Sequence, residues 1–566
     1  MADATYDAVI VGGGTKALFT AMYLAKYAGM KVGIFERRHE LGGGLATAEG
    51  AAGGFVSDTH ATTMYEWYFR PIKEDFPDFE EKGAKFGFHP MTLSVITKED
   101  QQSVGIYHRS ADPTGEKTAA QLAKYSQRDA DTFLKLNEMC KPGGEFDKVF
   151  VETFFSPPPL PDQPDPVERW AQSYIKRPDA LFDYTWMQLS ANRAIKELWD
   201  NVALQLISLR RLKAVGTITE VSSAMSMFST VVGATAMCYI QGGTHNVAHA
   251  CQRVLLENGA DFVTKSHVDK ILIENGRAKG IRLADGTEIA ARRLVVSGVD
   301  PRQLAFKLIG PDHISQKILN RVDTLEDTLT CISWYTWALH ETPNYQMALE
   351  ANPAINNAQW VMLATNSLDR MISEAYERRL GKTPDAEGML AIVSHQTRTD
   401  ENRAPKGKHT CLSEQHVLPS WALTEREWMA FKKQHAEDTL REWVQYAPNM
   451  TWDNVIGTDS LTPYDTASRL INLASGNQAV VDALPGQGGK VRPIAEFARY
   501  RTPIEGLFAT GSAWGLFHTG SGAQGYACYK AIAEDLNLGK PWQDKGQSYS
   551  QGRGSRVKGR GSRGWA

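Results

Sequence analysis

The chain of 566 residues is short of net charge and of paired cysteines, and each scarcity narrows what it can be. Its 62 Lys and Arg against 65 Asp and Glu leave a formal charge of -3. That field is too weak to imply nucleic acid or an acidic macromolecular partner, and none is expected. The six cysteines, Cys140, Cys238, Cys251, Cys331, Cys411 and Cys528, are scattered with no Cys-x-x-Cys pair. Neither a redox dithiol nor a zinc site follows, and a reducing compartment is the natural home. The sequence also has no metal-binding cluster, no paired carboxylates and no Ser-His-Asp arrangement, so no metal is expected. The N-terminus enters an apolar strand within a few residues, which leaves no room for a basic-then-apolar leader and gives a cytoplasmic reading. Long apolar runs are scarce as well. Residues 221–240 carry no charge over 20 positions, about the length of a membrane span. Six hydroxyl side chains and Gly233 make their transfer into lipid poor, and a buried or pocket-lining helix is expected there.

What is present is concentrated in residues 6–36. Tyr6-Asp7-Ala8-Val9-Ile10-Val11 reads as a buried strand and runs into Gly12-Gly13-Gly14-Thr15-Lys16-Ala17, a G-x-G-x-x-G/A pattern. A helix follows with Leu18, Met22 and Ala25 at helical spacing. Gly29 closes it, and residues 31–35 give a second strand ending in Glu36. Gly12 permits the tight turn, Gly14 lets backbone N–H groups with Thr15 approach a pyrophosphate, and small Ala17 lets helix and strand pack closely. Glu36 can accept hydrogen bonds from ribose hydroxyls. Strand, motif, helix and acidic strand end together are the context a bound dinucleotide requires. Downstream, Arg37 and then Leu41-Gly42-Gly43-Gly44 resemble the glycine-pair extension of flavoprotein dehydrogenases and amine oxidases. That resemblance favours FAD over NAD.

From about Met64 the chain leaves the nucleotide fold. Tyr65, Trp67, Tyr68 and Phe69 precede helical patterns over residues 118–139 and 167–212, joined by a proline-rich connector over 154–166. Gly242-Gly243-Thr244 signals the return, with a helix to Leu256, strands at 261–263, 270–274 and 280–283, and a buried strand at 294–297. The backbone of Val268 is a candidate adenine contact. Residues 301–493 again belong to the second unit: a strand at 332–339 carries Trp334, Tyr335 and Trp337, apolar on both faces as for core or for a greasy pocket. Further strands are expected at 389–394 and 409–417, and a helix over 424–445 is capped by Thr424 with Glu427 in the box position. Residues 507–512 form a strand ending at Gly511 and Ser512. The next helix, opening at Gly522 and Ala523, is expected to aim its N-terminus at the flavin rather than to build a second nucleotide site. Beyond residue 540 Gly, Ser and Arg dominate, giving a disordered basic tail. A solvated tail is expected, with contact to anionic lipid or nucleic acid as its alternative role.

Taken together, residues 9–14, the 36–43 extension, Tyr239-Ile240-Gln241-Gly242-Gly243, Val295-Val296-Ser297-Gly298-Val299-Asp300-Pro301, Ala404-Pro405-Lys406-Gly407-Lys408-His409 and residues 511–536 resemble the phytoene-dehydrogenase-like flavoproteins. That group includes carotenoid desaturases, carotenoid isomerases and retinol saturases. The resemblance implies an α/β fold with a discontinuous Rossmann-like FAD-binding domain (1–75, 236–305 and 494–540). It also implies an α+β substrate domain (76–235 and 306–493) with a mixed sheet and helical lid. It implies dehydrogenation of a hydrophobic, terpenoid or polyene-like small molecule, with oxygen, a quinone or a carrier protein as electron acceptor. Gly44, Asp58-Thr59-His60-Ala61 and Phe517-His518-Thr519-Gly520 depart from the group's common pattern close to the expected ring. His60 and His518 are the candidate bases, because each is expected beside the flavin and imidazole titrates near neutrality. An alkene isomerase or saturase, a flavin-containing scaffold and, more remotely, an amine oxidase remain the alternatives.

Overall fold

Val9, Ile10, Val11 and the whole of Val32–Phe35 are buried on both faces, as in a strand covered by helices above and below. They form the middle of a seven-stranded sheet in the computed structural model, which describes residues 2–100, 102–213, 218–220, 223–385, 392–515 and 521–544. The order is Asp261–Val263, Val32–Phe35, Ala4–Val11, Glu288–Ser297, Arg277–Leu283 and Val268–Glu274, with Leu507–Ala509 added beside Glu288–Ser297. The strands around Ala4–Val11 are parallel, whereas the last two run antiparallel as a meander. Helix Thr15–Lys26 makes the crossover and packs between His245–Glu257 and Ala523–Asp535. Close packing there needs Gly525, since a Cβ at that position would run into the Lys16 carbonyl. This is a Rossmann-like layer assembled from distant parts of the chain.

A second seven-stranded sheet takes the order Val455–Leu461, Ile332–Leu339, His409–His416, Ile392–His395, Trp360–Ala364, Met91–Thr97 and Ser103–Tyr107. It is mixed, because Trp360–Ala364 pairs parallel with Met91–Thr97 while the other neighbours are antiparallel. One face carries Tyr335, Trp337, Cys411 and Val393 and is covered by helix Glu425–Trp443, with Trp337 edge-on to Trp443 at 5.9 Å. That helix opens on a capping box between Thr424 and Glu427. The opposite face receives helix Val202–Lys213 and, above it, the helices between 116 and 198.

Residues 221–240 differ from the single helix expected. The described part breaks into Ala224–Met227, Thr230–Gly233, Ala234–Ala236 and the strand Met237–Ile240. Thr230 and Thr235 turn their hydroxyls onto the carbonyls of Met227 and Val232 at 2.8 Å each, the local competition that shortens helices. The stretch 118–139 divides likewise, with Ser126 capping the second helix, Gln127–Cys140. No described helix is long and apolar enough to cross a membrane. Of the expected basic tail, Pro541–Asp544 forms a short helix and residues 545–566 lie outside the described residues, as do 386–391 at the start of one expected strand.

Candidate active site

The first strand delivers the chain into Gly12, whose φ of +90° suits a residue without a Cβ. Gly42 runs alongside: its N–H donates to the Gly13 carbonyl at 2.8 Å, and the Thr15 hydroxyl donates to the Gly42 carbonyl at 2.9 Å. The Glu36 carboxylate accepts from the N–H of Gly13 and of Arg38, both at 2.7 Å. An acidic group is thereby held at the end of the second strand. A Cβ on Gly14 or Gly44 would meet no atom within 4 Å, so both glycines border open space. That space is a cleft of about 1420 Å³ lined by Gly12, Gly14, Thr15 and Ala17, by Glu36 and Arg37, and by Gly42, Gly43 and Gly44. Val268, Gly511 and Ser512 close its far walls. The donor set, backbone amides at a helix N-terminus plus one carboxylate, fits a pyrophosphate and a ribose.

Gly522 and Ala523 are corrections to the expected lining. Because the last helix packs tightly on the first, its opening turn abuts Phe19 and Ile72, and the Ala523 N–H is taken by the Ser521 hydroxyl at 2.9 Å. Neither residue is among those lining the cleft. His518 lies outside the described residues.

A second cavity, about 1570 Å³, shares His60, Ala61 and Gln478 with the first, so the two meet at residue 60. His60 lies against Trp334 with ring centroids 4.8 Å apart, and its two nitrogens face the hydroxyls of Thr59 (3.0 Å) and Thr466 (3.2 Å). Burial, with Arg469 and Arg38 nearby, pushes its pKa down to about 3. The imidazole is neutral across the physiological range. The turn that carries it is anchored by Asp58, which accepts from the Thr244 N–H at 2.7 Å and pairs with Arg403 at 2.8 Å. Arg403 comes from the second sheet's unit, so this buried pair fixes the two cavities against each other.

The second cavity is walled by Tyr65, Trp67, Tyr68, Phe146 and Phe150 on one side and by Leu93, Trp360 and Ile392 of the second sheet on the other. Trp334, Glu414 and Ile392 are cross-strand neighbours on that sheet. The expected two-sided strand is therefore resolved: Tyr335 and Trp337 enter the core, while Trp334 borders the cleft. Glu414 projects into the chamber and accepts from the Thr62 hydroxyl at 3.0 Å. Burial raises its pKa, opposed by Arg210 and Thr62.

Residues 10–78 match the NAD(P)-binding Rossmann-like domain family. One of the subunits of the limonene dehydrogenase of Castellaniella defragrans is 23% identical over 564 residues, covering 95% of this chain and 96% of that protein. The 4,4'-diapophytoene desaturase of a Methylomonas species is 22% identical over 316 residues, covering 52% of this chain and 53% of its own. The chain is thus similar to the phytoene-dehydrogenase-like FAD-dependent oxidoreductases. Among solved structures, an oxidoreductase from Methanosarcina mazei has the same fold, with TM-score 0.55, 16% identity, and coverage of 93% of this chain and 99% of that one. FAD is the cofactor that goes with this family and fold.

The groups that the sequence motifs do not single out are ionic. Lys16 stands inside the glycine motif and lines the cleft, with its pKa lowered to about 8 by burial; its place in the motif was the signal. Glu414 shows in the sequence as a lone acid inside the strand His409–His416, and Arg210 and Arg211 as a basic pair inside the largely apolar helix Val202–Lys213.

Proposed function

We propose that this flavoprotein dehydrogenates a hydrophobic, terpenoid-like or polyene-like small molecule held in the aromatic chamber. The observation that carries the reading is the junction: an aromatic cavity opens beside His60 onto the dinucleotide cleft, so substrate and cofactor can meet there. Names of relatives agree with it, a limonene dehydrogenase component and a diapophytoene desaturase. In this reading residues 1–75, 236–305 and 494–540 hold FAD, whereas 76–235 and 306–493 hold substrate. The support is that the strands of each sheet come almost wholly from one of those two sets.

The flavin supplies the hydride acceptor when bound. The protein must then exclude water and take up one proton. Tyr65, Trp67, Tyr68 and Phe146 serve the first need by giving the C–H bonds a dry, apolar bed. For the second, Glu414 suits better than His60. A buried carboxylate whose pKa is raised is a stronger base than an ordinary one, while an imidazole at about 3 accepts a proton weakly. His60 is assigned to positioning, as the wall between the two cavities. Gly12, Gly14, Thr15, Ala17, Glu36, Arg37 and Gly42 to Gly44 are assigned to the pyrophosphate and ribose, Val268 to the adenine side, and Gly511 and Ser512 to the flavin side.

The test is anaerobic. Purified protein is mixed with a panel of terpenoid and polyene hydrocarbons and alcohols while the flavin absorbance is followed. Bleaching by one compound, with a new double bond in the product, supports the reading; flavin that dithionite reduces but no compound bleaches removes it in favour of isomerase, saturase or scaffold. Reoxidation of the bleached protein by oxygen, a quinone or a carrier protein then identifies the acceptor.

A further inference from the structure

The chamber holds more positive charge than a hydrocarbon needs. Arg210 and Arg211 are consecutive on helix Val202–Lys213 and both line it, so the cavity wraps that side of the helix. Arg210 is 2% exposed, and its Nε and Nη2 have no hydrogen-bond partner. Arg211 lies over the Tyr65 ring at 5.0 Å, donates to the Tyr65 hydroxyl and reaches the Met237 sulfur at 3.9 Å. Among the described residues it has no acidic partner, and burial lowers its pKa to about 10 with no carboxylate to oppose the effect.

The acids nearby are committed elsewhere. Asp147 is held by two 3.0 Å bonds from Arg70, Glu66 faces Arg109 and His108 at 3.6 and 3.4 Å, and Glu414 takes the Thr62 hydroxyl. Arg210 and Glu414 interact electrostatically but form no ion pair within 4.0 Å. A buried guanidinium without a counter-charge is costly to keep. Arg211 is in that position, Arg210 keeps two unfilled donors although Glu414 and Glu374 favour its charge, and both line the aromatic chamber, where guanidinium geometry suits the carboxylate of an anion with an apolar body.

We propose that the substrate carries a carboxylate: its apolar body lies on Tyr65, Trp67 and Trp360, and its carboxylate is bound by Arg211 and Arg210. The proposal rests on the chamber being the substrate site. A monocarboxylate is favoured over a phosphate ester because Glu414 already offsets part of the Arg210 charge, leaving about one positive charge to neutralise.

The test uses the full-chain holoprotein and pairs of ligands that differ only in the head: geranic, farnesoic and retinoic acids, each against its methyl ester. Dissociation constants are read from ligand-induced shifts of the oxidised flavin spectrum, and bleaching is followed separately. At least one acid is expected to bind about ten- to a hundredfold more tightly than its ester, the range for a charge-assisted hydrogen-bonded pair. Arg211→Met is expected to abolish the difference, and Arg211→Lys to keep part of it. Equal affinity of acid and ester, or no binding by any acid, overturns the proposal, and this comparison needs no variant to fold. An acid preference that survives in Arg211→Met overturns it too. If acids bind preferentially but never bleach the flavin, dehydrogenation fails while the carboxylate site stands. If esters bind as well as acids and bleach the flavin, the reverse holds.

Discussion

The two cavities that meet at His60 are built by opposite means. The dinucleotide cleft is made of backbone: Gly14 and Gly44 border open space by having no side chain, Gly42 and Gly43 let the two glycine turns pack together, and Glu36 is held by two main-chain amides. The chamber is made of side chains, aromatic walls interrupted by Glu414, Arg210 and Arg211. A backbone site binds by position and tolerates little change in shape. A side-chain site binds by chemistry, and a conservative substitution can remove one function while leaving the cavity intact. Variants in the chamber should therefore alter turnover without losing flavin, and variants in the cleft should do the reverse.

The largest separation is expected from Glu414→Gln. If this carboxylate takes the proton, flavin reduction should slow by about 10²- to 10⁴-fold while FAD content and fold are unchanged. The pH profile sharpens the test. Glu414 must be ionised to act and its pKa is raised, so the wild-type rate should fall as pH drops through that raised value, and this limb should vanish in Glu414→Gln. An unchanged rate in anaerobic stopped-flow would return the base to another group. Next in size is Arg403→Leu, which strands Asp58 in the interior and should cost about 3–5 kcal/mol in denaturant unfolding. Adding Asp58→Asn removes the stranded charge and should recover part of that loss. If the single variant is as stable as the wild type, the pair does not hold the cavities together.

The same contrast explains what could be read from the sequence. The cleft was legible because its determinants are local: the glycine turn, the helix after it and Glu36 at the next strand end lie within about 25 residues, and each type is dictated by backbone geometry. Gly522 and Ala523 were misplaced because a helix N-terminus reveals its direction only through what it packs against, here Phe19 and Ile72. The chamber could be recognised only as apolar. Its floor is a row across strands that begin at 332, 392 and 409, and Arg210 and Arg211 reach it from a helix that their sequence neighbours mark as ordinary core. His60, expected beside the flavin, lies where the two cavities meet, and its burial, which lowers its pKa to about 3, arises from Trp334 and Thr466 far along the chain.

Within the cleft, two substitutions separate space from charge. In Gly14→Val the side chain enters open space, so the protein should fold normally yet lose FAD affinity by about a hundredfold, because the backbone can no longer approach the pyrophosphate. Lys16→Met keeps the space and removes one cation, and the smaller loss of about tenfold is expected, that of a single charge-assisted contact. Its pH dependence has a definite sign. Burial holds Lys16 at about 8 in the flavin-free protein, and a bound pyrophosphate raises that value by favouring the charged form. The Lys16 contribution to affinity is thus complete below about 8 and disappears as pH rises through the higher, bound-state pKa. Fluorescence titration of apoprotein with FAD on either side of pH 8 should show wild-type affinity falling at alkaline pH and Lys16→Met affinity staying level. Parallel curves would mean that the lysine faces the cleft without touching the phosphates, leaving the backbone amides to hold the cofactor alone.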